Sequence, residues 1–187
     1  MKPSKPPKQK KCRACPERFT PSSTTQVVCS PKCAIELTRL TREKVKRKTD
    51  REYRVKLKSR REWLQDTQKV VNQYVRLRDS KDGCISCHRG PEWGGQWHAS
   101  HFRSVGAASA VRFNLWNIHK SCSICNNWKS GNLSEYEPRL RTKIGDEKVD
   151  WLRAQTQPMA YPIEYLQRFI KVFKKKIKRL TKQQPLP

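Results

Sequence analysis

Cys84-Ile85-Ser86-Cys87, then Trp97-His98-Ala99-Ser100-His101-Phe102, then Cys122-Ser123-Ile124-Cys125-Asn126: these three stretches decide how the chain is read. Two cysteines separated by two residues form a tight knuckle that supplies two thiolates, and two knuckles close one tetrahedral zinc site. A second quartet stands upstream as Cys12-x2-Cys15-x13-Cys29-x3-Cys33. Four thiolates leave no open coordination position, so each zinc is expected to be structural and neither should activate water itself. Each should hold loops that have little apolar core of their own. Local closure of each quartet is more economical than pairing across quartets, and spacing alone leaves both open.

The residues between the second pair of knuckles carry the chemistry. With residues 96–102 extended, Trp97, Ala99 and His101 share one face, and His98 turns to the other. With a helix starting at about Cys122, Cys122 and Cys125 lie on one side. Asn126 is then rotated by about 100° from Cys125 and shares a face with Lys129. The zinc would present Asn126 to the strand that bears His101. An Asn carbonyl is an oxygen ligand suited to a hard cation such as Mg2+. A neutral imidazole titrating near 6.5 suits proton removal at working pH.

The order C-x-x-C, His101, Asn117, then C-x-x-C-Asn126 with Lys129 three further on resembles the HNH, or ββα-metal, nucleases over about fifty residues. That resemblance implies His101 as general base and Asn126 as a ligand of a catalytic Mg2+ (or Mn2+). It implies that Asn117 fixes the loop that orients His101, and that Arg103 and Lys129 contact phosphates. One position departs: many such enzymes carry Asp or Glu just before the catalytic His, where this chain has Ser100. His98, Asn114 and His119 are the candidates to complete the metal site.

A narrower resemblance covers most of the chain. Phe102, Arg112-Phe113, Asn117-Ile118-His119, Cys122, Cys125-Asn126 and Lys129-Ser130-Gly131-Asn132 are similar to the NinG (Rap) recombination proteins of lambdoid phages. The N-terminal quartet followed by a basic helix is similar too. The resemblance implies a structure-specific endonuclease acting on branched recombination intermediates, D-loops and four-way (Holliday) junctions. Endonuclease VII, a phage junction resolvase, has a similar zinc-stapled core. Paired cuts across a junction would suit a homodimer with two symmetric sites. Recombination proteins are candidate further partners, none of them identified by the residues, and a phage product of this kind would work in the host cytoplasm.

Outward from this centre, composition agrees with a polyanion partner. Among 187 residues, 42 Lys and Arg face 16 Asp and Glu, a net charge of +26. Such self-repulsion disfavours compaction, whereas each phosphate neutralised on nucleic acid releases a counterion. The N-terminal run is basic without an apolar stretch behind it, and no run approaches the roughly 18 apolar residues of a membrane span. A reducing interior is therefore expected, where closely paired cysteines are metal ligands rather than disulfides.

The expected organisation is mainly α with small zinc modules and an HNH core flanked by basic helices. Residues 1–11 form a disordered basic arm, and 12–33 a loop-rich zinc module with a short strand at 24–28. Residues 34–58 make a basic helical linker whose Arg39, Arg42, Lys46 and Arg47 would grip DNA arms by phosphate contacts. Residues 59–154 hold the nuclease domain. Its Ser59-Arg60-Arg61-Glu62 is a capping box, followed by a buried stripe of Trp63, Thr67, Val70, Tyr74 and Leu77. A second strand is expected within 111–119. Ser134-Glu135-Tyr136-Glu137 is a further capping box, and Gly145 and Asp146 separate two short helices. Residues 155–187 carry a helix started by Pro162 with an apolar stripe from Ile163 to Leu180. That helix would pack on the Trp63–Leu77 helix; a dimer seam or a membrane-surface helix are the other readings. From a different functional class, a non-catalytic zinc-dependent DNA- or RNA-binding protein explains the charge equally well and is favoured by Ser100.

Overall fold

A computed structural model describes residues 8–183. The chain divides between Lys58 and Ser59 into two compact units.

In the first unit, strands β1 (Lys10–Lys11) and β2 (Arg18–Phe19) pair antiparallel. Helix α1 (Pro31–Leu57) follows. Pro31 stands at the helix start, where its missing N–H costs nothing, and the Ser30 hydroxyl accepts the Cys33 N–H. Residue by residue, α1 is mostly charged or exposed, with Cys33 and Leu37 half-buried near its start. It buries no side chain, and Ile35, Val45, Tyr53 and Leu57 are open to solvent. Tertiary packing normally supplies most helical stability, and within this unit α1 is tied down only near its first turns, where Cys33 joins the first cysteine cluster.

The second unit begins with α2 (Arg60–Arg78). The Ser59 capping box forms as expected, with Glu62 reaching back to the Ser59 N–H. Strands β3 (Trp97–His101) and β4 (Ile118–Cys122) form an antiparallel hairpin in the register Trp97↔Cys122 to His101↔Ile118. A π-turn (Ile124–Trp128) leads to α3 (Leu133–Ile144), α4 (Asp146–Ala154) and α5 (Ile163–Gln183). Helix α5 packs on α2. Their shared core holds Val71, Val75, Phe113, Ile118, Tyr161, Leu166 and Phe173, with Tyr74 edge-on to Phe173 at 5.0 Å. A second core joins Phe102, Val111, Tyr136, Leu140, Val149 and Leu152 beneath α3 and α4. Burying each such side chain contributes roughly 1.5–3 kcal/mol.

Several local expectations change. Of the basic arm, residues 1–7 lie outside the described residues, while Lys10 and Lys11 are in β1. Residues 24–28 form no strand; Lys10 Nζ donates to the Thr24 carbonyl and holds them as turns. The second strand starts only at Ile118. Residues 109–111 are a 3-10 turn, and chained bonds from Asn114 N to Val111 O and Asn117 N to Asn114 O keep the backbone coiled until Asn117. The 134–137 capping box does not form. Helix α3 starts two residues earlier, after left-handed Asn132, with no side-chain cap. Gly145, at φ 91°, and not Asp146, caps α4; a side chain is strained there. Among the described residues no helix is long and apolar enough to cross a membrane.

Candidate functional site

Each quartet closes on itself. The four sulfurs of Cys12, Cys15, Cys29 and Cys33 lie within 4.8 Å of one another, and so do those of Cys84, Cys87, Cys122 and Cys125. A tetrahedron with zinc–sulfur arms of about 2.3 Å has edges of about 3.8 Å. The observed separations are 3.6 Å for Cys15–Cys29, 3.5 Å for Cys29–Cys33 and 3.8 Å for Cys87–Cys122. Both clusters therefore fit zinc. In the second, the N–H groups of Ser86 and Cys122 donate to Cys84 Sγ, and that of Cys125 to Cys122 Sγ. Such bonds favour thiolate. Burial pushes the Cys87 thiol up, but donors from the Arg89 backbone and guanidinium draw it down to about 7.

The second cluster locks the hairpin to the π-turn, because Cys122 ends β4 and Cys125 sits inside the turn. A helix from Cys122 was expected; the strand instead runs through Cys122, and a π-turn follows. Pairing puts His98 and Ser100 on one face with His119 and Ser121, and His101 with Ala99 and Trp97 on the other. The turn places the Asn126 amide 3.1 Å from His98 Nδ1. Asn126 was expected against His101; it meets His98, because strand alternation separates the two histidines. These residues line a cleft of about 430 Å3 along the outer edge of β3, with Gln96, Trp97, Ala99, and Asn72 and Arg76 of α2.

His101 lies on the other face, largely buried. Its Nε2 is 2.9 Å from the Arg112 carbonyl. A carbonyl only accepts, so Nε2 carries the proton and Nδ1 of the neutral ring holds the lone pair. Burial lowers its pKa below 6.5, against the opposing effect of the Arg112 carbonyl bond. Asn117 is fully buried. Its Oδ1 accepts the Arg103 N–H at 2.7 Å, and its Nδ2 donates to the carbonyls of Arg103 and Val111, both at 3.1 Å. Asn117 thus ties the backbone just past His101 to the segment that carries the Arg112 carbonyl.

Other candidate residues are placed differently. His119 was a candidate metal ligand, but it is buried with both ring nitrogens engaged, by Arg78 and by the Trp116 carbonyl. Burial, then Arg78 and Lys143, pull it down to about 4 despite Asp79. It belongs to an ion network that closes the end of α2 on β4 and is no metal ligand. Arg103 is half-buried, and among the described residues its Nε has no hydrogen-bond partner. Lys129 is exposed beyond the turn. Asn114 caps a loop, accepting the Trp116 N–H. On α1, Arg42, Lys46 and Arg47 are exposed, whereas Arg39 is committed to Glu36 at 2.6 Å and Glu43 at 2.7 Å. It is a helix-stabilising pair member, not a free phosphate ligand. Asn72 and Arg76 escaped the sequence reading. Their i, i+4 spacing on one side of α2 was visible, but nothing local said that this side meets β3.

The chain matches the family model described as Bacteriophage Lambda NinG protein over residues 4–183. It is 34% identical over 194 residues to protein ninG of Escherichia phage lambda, covering 93% of this chain and 94% of that one. It is 33% identical over 192 residues to protein ninG of Escherichia phage 933W, covering 93% and 94%. To protein ninG of Salmonella phage P22 it is 32% identical over 184 residues, covering 89% and 90%. No solved structure matches the chain.

Proposed function

Because this chain belongs to the NinG family of bacteriophage proteins, we propose that it is a divalent-metal-dependent endonuclease of the HNH type that hydrolyses phosphodiester bonds in branched recombination intermediates. The observation that carries the reading is the imidazole of His101, held in one tautomer by the Arg112 carbonyl with a lowered pKa. A base that stays neutral, with its lone pair on Nδ1, is what water activation requires. Asn117 holds that geometry as a positioning residue. Branched DNA as the substrate rests on family likeness.

His98 and Asn126 would hold the cation, Mg2+ or Mn2+. The cleft offers an imidazole and three amides, and such ions commonly keep several waters and substrate phosphate oxygens as ligands. When bound, the cation supplies positive charge that polarises the scissile phosphate. By the family resemblance His101 would take the proton of the attacking water, although strand alternation sets it on the face of β3 opposite His98 and Asn126. Arg76, facing the same cleft, can orient a phosphate by paired N–H donors. Ser100 supplies no carboxylate to the metal site, which is the observation favouring a second reading, a zinc-dependent DNA- or RNA-binding protein without catalysis.

The two readings part in one assay. Purified protein is incubated with a labelled four-way junction and with linear duplex, with Mg2+ or with it withheld. Mg2+-dependent cutting of the junction above the duplex is expected. A His101→Ala variant should bind equally well and cut about 10²–10⁴-fold more slowly, the usual contribution of a general base. Absence of cutting in every lane would leave the binding protein. Equal cutting of both substrates would keep a nuclease and remove branch preference. The acid limb of activity should fall below pH 6.5, because the lowered His101 pKa keeps the base neutral until then.

A further inference from the structure

The π-turn carries a second feature besides Asn126. Trp128 is 84% exposed, the largest exposure among the large apolar side chains of the described residues. The other tryptophans are engaged. Trp93 meets Trp97 edge-on, Lys120 Nζ lies over the Trp97 ring, and Trp116 meets Trp151. Trp63 packs against the α2–α5 core. Trp128 has no ring or cation partner among the described residues.

Its backbone, by contrast, is firmly held. The Gly131 N–H donates to the Cys125 carbonyl at 2.9 Å and that of Asn132 to the Lys129 carbonyl at 2.7 Å. Asn132 Nδ2 donates to the Ser86 carbonyl at 2.6 Å, tying the exit of the turn to the first zinc knuckle. Ser130 and Asn132, at φ 48° and 51°, occupy the left-handed region that side chains rarely adopt. Strain of this kind persists where the surroundings over-determine it, and it clusters at functional sites. A π-turn is itself enriched there. The outcome is a rigid mount for an indole that faces water, next to the cation Lys129.

From this mount and the net charge of +26, we infer that Trp128 is a stacking platform for an unpaired nucleobase of DNA. The charge argues for a nucleic-acid occupant over an apolar protein surface. A flat indole with two side-chain torsions loses little entropy on contact, and every base presents a π-face. In a fully paired duplex the faces are covered by neighbouring base pairs, so the platform reads exposed bases such as those at a fork or gap. The inference rests on DNA being the ligand, as proposed above, and not on strand cutting.

The test compares a forked DNA carrying 2-aminopurine at an unpaired position with a duplex of equal length. Binding is measured with no added Mg2+ and no chelator, so zinc stays and strands remain whole. Trp128→Ala should weaken fork binding by roughly 5- to 150-fold, the range of stacking on one aromatic side chain, and abolish the 2-aminopurine quench. Duplex binding should change by less than about twofold, because stacked bases do not reach the indole. Trp128→Phe should keep most of the fork preference. Equal losses on fork and duplex, or no loss on the fork, overturn the inference. So does a fall in sedimentation mass for Trp128→Ala, which would make the indole a contact between protein copies. A wild-type protein that binds forks through Trp128 yet never cuts defeats the nuclease reading and leaves this one standing.

Discussion

The two cysteine clusters share ligand number and a C-x-x-C opening knuckle, yet they sit in different surroundings. In the second, Cys84, Cys122 and Cys125 are buried, and Trp93, Trp97 and Ile124 pack around the sulfurs. Apolar cores on either side hold the hairpin and helices. In the first, only Cys12 is buried, no apolar core forms among the described residues, and the adjoining α1 buries nothing. One ligand set therefore serves two purposes. With so little apolar burial beside its short hairpin, the first module would depend on its metal for most of its stability. The second adjusts a fold that hydrophobic burial already supports, and its particular task is to aim the π-turn at β3.

Stripping zinc should separate the two most sharply. Structural zinc in small modules contributes roughly 10–16 kcal/mol to folding. Amide exchange after chelation should show residues 12–33 fully unprotected, while the α2–α5 pair keeps its protection. Loss of α2–α5 protection alongside would mean that the second site, too, makes its own fold. Two zinc ions per chain are expected before chelation.

The next effect belongs to the second unit alone. Asp79 is buried between Arg78 and Lys143 and accepts the Lys120 N–H at 3.1 Å. Burial pushes its carboxyl up, but Arg78, Lys143 and Lys120 outweigh this and hold it below the ordinary 3.8. Asp79→Ala takes the carboxylate from half-buried Arg78 and leaves the buried Lys120 N–H without its acceptor, while Lys143 keeps Asp82, and should cost about 3 kcal/mol in denaturant unfolding. Since the folded pKa is the lower one, this stabilisation is present above pH 3.8 and is lost as pH falls through the depressed value. A variant with unchanged acid unfolding would show that the network contributes nothing. The smallest effect is on α1. Val45→Ala, at a site 59% exposed, should shift stability by no more than about 0.5 kcal/mol. A larger loss would reveal an apolar partner for α1 and weaken the contrast between the units.

Much of this was open to reading because it is local. The Ser59–Glu62 box, the apolar stripes of α2 and α5 and the His98–His101 alternation all depend on residues a few positions apart. The misread elements had competitors at longer range. Residues 111–119 have strand-like composition, yet the buried Asn117 amide bonds backbone at 103 and 111 and keeps them in turns.

By itself the sequence determined the eight sulfur ligands, since a knuckle needs only the reach of two or three residues. It also determined the net charge of +26 that motivates a polyanion partner, since charge is a sum that folding does not alter. Tertiary structure alone decided that His98 and not His101 meets Asn126, that His119 is spent on Asp79 and Arg78, and that Asn72 and Arg76 share the cleft. Those outcomes depend on which strand face meets the π-turn and which side of α2 meets the open edge of β3. Packing between distant segments sets both, and no local spacing encodes it.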